Sequence, residues 1–258
     1  MKYSVLCYNF NNYEQFREIP FSTQSSDVEY VYVTDNSNIK STGWKIINDP
    51  EIANLRPFEK CYAVRFNPFK YVSNDICVYL DGSCQIYEPL DALVKRYILS
   101  KMDIAVMVHP ARSTMWEEYI TWITARHYNS SQAFKCLMYM EHNGYDIMQY
   151  KGLYQGGMRI TKNSDKCNLV DAETLNILTK LQTTHDIERI DQTIYSYVLN
   201  HIYQEVSLFP FTQSWIQSKY IKICGHKSSK NIRYNPNNDK SIGWIRNKLL
   251  PVDVEHAH

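Results

Sequence analysis

Apolar residues in the first half of the chain fall into two alternating rhythms. Residues 3–8, 28–34, 44–47, 76–80 and 104–108 are short runs of strand length, rich in β-branched and aromatic side chains. Between them, 57–66 and 90–99 read as helices, the second through Leu90, Leu93, Val94, Tyr97 and Ile98. Runs that are apolar almost throughout suit strands covered on both faces, so the rhythm predicts a mainly parallel α/β sheet flanked by helices.

After residue 110 the pattern turns helical. Thr114 and Glu117 have capping-box spacing, and the helix they open has the apolar stripe Trp116, Tyr119, Ile120 and Ile123. A second helix, from about Ser131, carries Phe134, Leu137 and Met138 and stops near Gly144. Residues 152–161 return to strand character around Gly156 and Gly157. Two more helices are expected, one from Asp171 (Leu175, Leu178, Leu181) and one from Asp186 (Ile187, Ile190, Ile194, Tyr197, Val198). With no repeat or low-complexity linker, the simplest organisation is one domain over 1–218 and a basic extension over 219–258.

The net charge of +1 argues against a generic polyanion binder, so nucleic acid is not an expected partner. That total conceals a stretch, 219–248, with eight Lys or Arg against the single acid Asp239. The seven cysteines are scattered and contain no Cys-x-x-Cys pair, which suggests reduced core thiols rather than a disulfide framework or a zinc site. The apolar part of the N-terminus is too short for a signal peptide, and no stretch approaches about 20 apolar residues. A cytoplasmic protein is expected.

Candidate chemistry begins where strand 76–80 ends in Asp81, Gly82 and Ser83, because open α/β sheets bind ligands outside the carboxyl ends of their strands. The same logic exposes His109 and Arg112 after strand 104–108. Gly156 and Gly157 form a tight turn or make room for a ligand. Asp191 falls on the apolar stripe of its helix, so it either faces a site or joins a salt bridge, with Arg189 or a distant Lys as partner. Near the end, His226 could bind a metal and Lys227 and Lys230 a phosphate. Gly-x-Gly-x-x-Gly after the first strand, a Walker loop, Gly-x-Ser-x-Gly and His-Glu-x-x-His are all absent, which disfavours dehydrogenases, P-loop enzymes, α/β-hydrolases and zincins.

Six short motifs occur in order: Val33-Thr34-Asp35; Arg56, Lys60 and Arg65-Phe66-Asn67-Pro68; Val78-Tyr79-Leu80-Asp81-Gly82; Asp103-Ile104-Ala105-Val106 with His109-Pro110 and Arg112; Gly152-Leu153-Tyr154-Gln155-Gly156-Gly157; and Arg189-Ile190-Asp191-Gln192. Over residues 3–200 this set resembles the glycosyltransferase-like family, long listed as a domain of unknown function, of plant cell-wall proteins and bacterial polysaccharide loci. The resemblance implies a GT-A fold, a Rossmann-like nucleotide-diphospho-sugar transferase with a mainly parallel central sheet. It implies donor binding by Tyr8, Asp35, Lys60, Arg65, Asp81, Gly82 and Lys227, and a sugar and acceptor side lined by His109, Arg112, Gly156 and Gly157. Asp191 and Gln155 would be the catalytic pair, and Asp81, Ser83 and His226 the ligands of Mn²⁺ or Mg²⁺.

Ser83 stands at the second acid position of an Asp-x-Asp-like element, and a hydroxyl is a poorer ligand for these ions than a carboxylate. Gln155 stands where members often carry Glu, and an amide cannot be a base. The implied activity is hexosyl transfer from a nucleotide sugar, with UDP favoured, to a glycan or lipid-linked acceptor in O-antigen or capsule synthesis, with retention slightly favoured. Residues 219–248 would contact anionic lipid at the inner membrane. The alternatives are a catalytically silent carbohydrate- or nucleotide-binding protein and a nucleotidyltransferase.

Overall fold

The computed structural model describes residues 1–20, 27–124, 130–149, 152–185 and 190–224. In chain order the elements are β1 (Tyr3–Asn9), β2 (Val28–Thr34), β3 (Lys45–Ile47), α1 (Pro57–Arg65), β4 (Ile76–Leu80), β5 (Cys84–Ile86), α2 (Asp91–Ser100) and β6 (Ile104–Val108). They continue with α3 (Met115–Thr124), α4 (Ser130–His142), β7 (Tyr154–Lys162), α5 (Asp165–His185), α6 (Asp191–Tyr197), β8 (Leu208–Thr212), α7 (Gln213–Gln217) and β9 (Ile221–Ile223). Seven strands form one sheet in the order β3-β2-β1-β4-β7-β6-β8. Every pairing in it is parallel except those of β7, which runs antiparallel to both β4 and β6. This is the mainly parallel α/β sheet, flanked by helices, that the GT-A expectation requires.

Strand alternation sends side chains to two covered faces. Val5, Cys7, Tyr30, Tyr32, Val78 and Leu80 pack with Leu93, Val94 and Tyr97 of α2 on one face. On the other, Leu6, Val31, Val33 and Cys77 pack with Val64 of α1, while Ile104 and Val106 join the core of α3 to α6. Each fully buried aliphatic or aromatic side chain contributes about 1.5–3 kcal/mol. Burial on both faces explains why β4 and β6 read as unbroken apolar runs.

Several elements differ from the sequence reading. Helix α5 begins at Asp165, not Asp171, because Ser164 caps it, its hydroxyl accepting from the Cys167 amide and its carbonyl from the Asn168 amide. Phe134 and Met138 of α4 are exposed; the buried stripe is Ala133, Cys136, Leu137 and Met140, whose small members let the helix pack closely. The predicted capping box is present, with the Glu117 amide donating to Thr114 Oγ1 and the Thr114 amide to Glu117 Oε2, each at 3.1 Å. The most buried face of α3 is Met115, Glu118, Tyr119, Ile120 and Trp122, which includes an acid, while Trp116 and Ile123 of the predicted stripe are partly buried against the same core. The predicted helix start at Asp186 lies outside the described residues. Strand β9, beyond residue 218, pairs with β5. Among the described residues no helix is long and apolar enough to cross a membrane.

Candidate functional site

The strand order reverses at β1, with β2 and β3 on one side and β4 on the other. A crevice opens outside the carboxyl ends of the strands at such a switch point. Because β7 is antiparallel, its first residues share this edge with the last residues of β4 and β6. Tyr8, Asp35, Asp81, Gln155, Gly156, Gly157 and His109, far apart in sequence, therefore line one edge of the sheet.

At the end of β2, Asp35 Oδ2 lies 3.1 Å from Lys60 Nζ, and Asp35 Oδ1 accepts from the Asn11 amide at 2.9 Å. Lys60 comes from the first half of α1, with its ammonium 5.8 Å from the Phe10 ring centroid. The pair borders a cleft of about 250 Å³, whose lining also includes Phe10, Thr34, Asn48 and Ile52. An apolar ring, a carboxylate, an ammonium and an amide around such a cleft can hold a heterocycle and a polyhydroxylated ring.

At the end of β4 the Tyr79 hydroxyl donates to Asp81 Oδ1. The Tyr79 ring has the Tyr8 ring 5.7 Å away and the Arg65 guanidinium 5.2 Å away. Burial first, then the Asp81 carboxylate, pushes the Tyr79 phenol well above its ordinary pKa, so it stays a donor. The Asp81 amide donates to the Gly157 carbonyl at 3.0 Å, and the Cys84 amide to the Asp81 carbonyl at 2.9 Å, closing a tight turn. A Cβ on Gly82 would come within 2.6 Å of the Tyr8 carbonyl oxygen, so only glycine fits this turn against β1. Ser83 is buried, and its carbonyl accepts from the Cys224 amide at 2.8 Å. The last described residue thus sits beside the Asp81 turn.

Asp191 is the first residue of α6 rather than a mid-helix position, and among the described residues its partner is Arg65 from the end of α1; Arg189 lies outside the described residues. Arg65 is almost fully buried; burial opposes its charge, but Asp191, Tyr79, Asp81 and Tyr8 together outweigh that and push its pKa further up. Gly156 and Gly157 form no tight turn. They lie in a bulge of β7, where Val106 and Met107 of β6 pair with Arg159 and Gln155. A Cβ on Gly156 would stand 2.7 Å from both Arg65 Nη atoms, so this glycine makes room for an arginine of the chain itself.

Behind Arg65 is a second buried arginine that sequence reasoning missed. Arg159 makes a fork with Asp171, its Nη2 lying 2.8 Å from Asp171 Oδ2, and also donates to the Arg65 carbonyl. Burial opposes the Arg159 charge and Asp171 outweighs it. Glu118 was missed as well. It is buried, and its Oε1 accepts from Trp122 Nε1 at 3.0 Å and Gln192 Nε2 at 3.1 Å, while Gln192 Oε1 accepts from the Gly156 amide at 3.3 Å. Glu118 Oε2 is 2.5 Å from Arg112 Nε, close enough for an ion pair although the N–H is not aimed at the oxygen. Burial, partly offset by Arg112, raises the Glu118 pKa. The only sequence signal for Glu118 was its place between the apolar residues of α3.

His109 Nδ1 accepts from the Arg112 amide at 3.0 Å, and its Nε2 is 2.5 Å from Arg112 Nη2. Burial and then Arg112 hold the imidazole down to about 3, so it is neutral at physiological pH. Among the described residues no three His, Cys, Asp or Glu gather as a metal site. His226, Lys227, Lys230 and Arg233 lie outside the described residues.

No family model matches the sequence, and no curated protein matches it. Two solved structures, the glycosyltransferase GlyE of Streptococcus pneumoniae TIGR4 and its apo form, are similar at TM-scores of 0.43 and 0.41 with 15% and 14% identity. Each alignment covers 81% of this chain but only 45% of GlyE, so the chain spans less than half the length of those structures. Likeness of that extent carries neither activity nor residue roles across. The seven-stranded, mainly parallel sheet itself defines the fold.

Proposed function

We propose that the chain is a glycosyltransferase that moves a hexose from a nucleotide sugar, with UDP favoured, to a glycan or lipid-linked acceptor in bacterial surface polysaccharide synthesis. The observation that carries this reading is the convergence of Asp35, Lys60, Asp81, Arg65, Asp191 and His109 at one sheet edge, beside the switch point. The cleft at Asp35 and Lys60 suits the nucleoside. Asp81 would face the diphosphate, and the edge beyond it would hold the sugar and then the acceptor.

Breaking the sugar–phosphate bond leaves negative charge on the departing diphosphate and positive charge on the sugar. Lys60 and Lys227 would meet the first charge, and the amide of Gln155 the second. Asp191 is ion-paired with the buried Arg65 guanidinium, which fixes its carboxylate and suits it to holding sugar hydroxyls; this supports retention, and the anomeric configuration of the product would decide. Asp81, with Ser83 and His226, would hold Mn²⁺ or Mg²⁺, since such ions are commonly bound by one or two carboxylates plus substrate phosphates, and the ion would neutralise the leaving group. The basic stretch 219–248 would contact anionic lipid, and vesicle binding unchanged by its truncation would remove that part.

The test is thermal unfolding of the full chain with UDP-, GDP- and TDP-sugars, with and without Mn²⁺. A donor at about 100 times its Kd stabilises by about 2.7 kcal/mol. We expect a rise in Tm with one nucleotide class, abolished in Asp81→Asn when each protein is compared with its own ligand-free Tm. No response to any sugar nucleotide, or an undiminished response in the variant, would sink the proposal.

A further inference from the structure

A neutral imidazole has one ring proton and one lone pair. Three N–H groups of the chain converge on His109: the Ala111 amide at 3.2 Å and the Arg112 amide at 3.0 Å from Nδ1, and Arg112 Nη2 at 2.5 Å from Nε2. When Nδ1 accepts from the amides, Nε2 carries the proton and faces a guanidinium. The opposite tautomer sets Nδ1–H against two amides. Protonating the ring, which burial and Arg112 already oppose, would add another donor and remove the last lone pair. In every state the loop has more donors than acceptors.

Arg112 cannot escape this by releasing a proton. Nor is it drawn away, because its ion pair is with Glu118, which Trp122 and Gln192 fix in turn. The Nη edge is left against His109. The acids nearby are each engaged: Asp191 by Arg65, Glu118 by Arg112, and Glu117 by the Ser113 and Thr114 amides and the Ser113 hydroxyl. Converging backbone amides, a guanidinium edge and an imidazole are the groups that bind oxyanions.

We propose that the loop from His109 to Arg112 is an oxyanion-binding site, and that the acceptor carries a phosphate or carboxylate group that docks there. The word acceptor rests on the glycosyl-transfer reading; the anion site does not. Strand β7 separates β6 from β4 in the sheet, so His109 lies about two strand spacings, roughly 10 Å, from Asp81. The oxyanion is accordingly distinct from the donor diphosphate.

The experiment follows the ring resonances of His109 by NMR in the full chain, labelled at histidine, at low ionic strength and neutral pH. Inorganic phosphate and pyrophosphate form one arm, and acetate and glucuronate the other. We expect a saturable shift at His109 that Arg112→Ala weakens about tenfold or more, since a hydrogen bond to a charged group contributes about 1.5–3 kcal/mol. Lys60→Ala should leave it unchanged. Tighter binding in the phosphate arm indicates a phosphate-bearing acceptor, and tighter binding in the carboxylate arm an acidic sugar.

Absence of saturation in both arms would overturn the proposal, as would unchanged affinity in a folded Arg112 variant. If Arg112→Ala does not fold, Arg112→Lys keeps the charge but loses the fork and should weaken binding less. Should sugar nucleotides fail to stabilise the chain while His109 still responds to phosphate, the transferase reading falls and the anion site stands.

Discussion

The two ends of the carboxyl edge handle charge in opposite ways. By β1 to β3, Lys60 and Asp35 form one pair at the mouth of a cleft, with the Asp35 side chain 27% exposed and the Lys60 side chain 9%. By β7, Arg159 and Asp171 are 2% and 5% exposed, and Arg65 meets Asp191 directly in front of them. A pair with its carboxylate partly exposed beside a cleft contributes modestly to stability and can exchange its partner for a ligand. A sealed pair cannot: removing one member strands the other in a medium that penalises it heavily. The first region is built to bind and the second to hold the binding groups still.

The strongest way to break the comparison is Asp171→Ala. It leaves the Arg159 guanidinium buried without its carboxylate and loosens the grip on the Arg65 carbonyl, so a loss of about 3–5 kcal/mol in denaturant unfolding is expected. Asp35→Ala should cost about 1 kcal/mol or less without ligand, because Lys60 can turn its ammonium into the cleft. Equal destabilisation by the two substitutions would erase the distinction between an open and a closed end.

A finer test uses the two glycines between those ends. In Gly156→Ala the new Cβ would meet both Arg65 Nη atoms at 2.7 Å, and Asp191 and the rings of Tyr79 and Phe66 leave that guanidinium no easy retreat. A loss of about 1–3 kcal/mol is expected, as for other overpacked sites. In Gly157→Ala the nearest atom is the terminal methyl of Met107 at 3.3 Å, a flexible group that can move, so the cost should be smaller. Urea unfolding of both variants checks the order. Gly157→Ala proving the more harmful would mean that the bulge, not Arg65, requires the glycines.

The strand ends were the legible part. Asp81 and His109 each follow a strand that is an unbroken apolar run, and Asp35 follows one interrupted only by Glu29 and Thr34, so the sequence alone says where such a residue emerges. The closed end was hidden for a physical reason. Arg159 sits between Met158 and Ile160, where a polar residue in a strand ordinarily points to water, and nothing local announces that Asp171, a full turn and more into the next helix, will cover it. Glu118 likewise looks like a solvated helix residue until Arg112 and Gln192 arrive from other elements. The missed strands β5, β8 and β9 are short or carry Pro210, which suits an edge strand and removes the usual signal. Charge satisfied by distant partners is a tertiary fact, whereas a strand end is a local one.

The amino edge of the sheet offers a control, because its charges are neither open to a ligand nor sealed. Asp103, just before β6, accepts from Lys166 at 2.9 Å and from the Ser207 amide and hydroxyl at 2.9 and 2.7 Å, with Lys162 Nζ 2.7 Å away. Burial would raise its pKa, but the two ammonium groups and Ser207 outweigh burial and hold the carboxyl well below its usual value. A depressed folded pKa means that stabilisation is complete above the unfolded value of about 3.9 and fades as pH falls through it toward the folded value. Hydrogen bonds to a charged group contribute about 1.5–3 kcal/mol, and the lower figure applies because both lysines are more than a third exposed. Asp103→Asn should therefore lower Tm by about 3–6 °C at pH 7. The gap should narrow steadily below pH 4, as the unfolded chain's carboxyl takes up a proton that the native carboxyl still refuses. A gap that stays constant down to pH 2 would show that the substitution acts through packing, and that charge contributes to stability only where it is sealed.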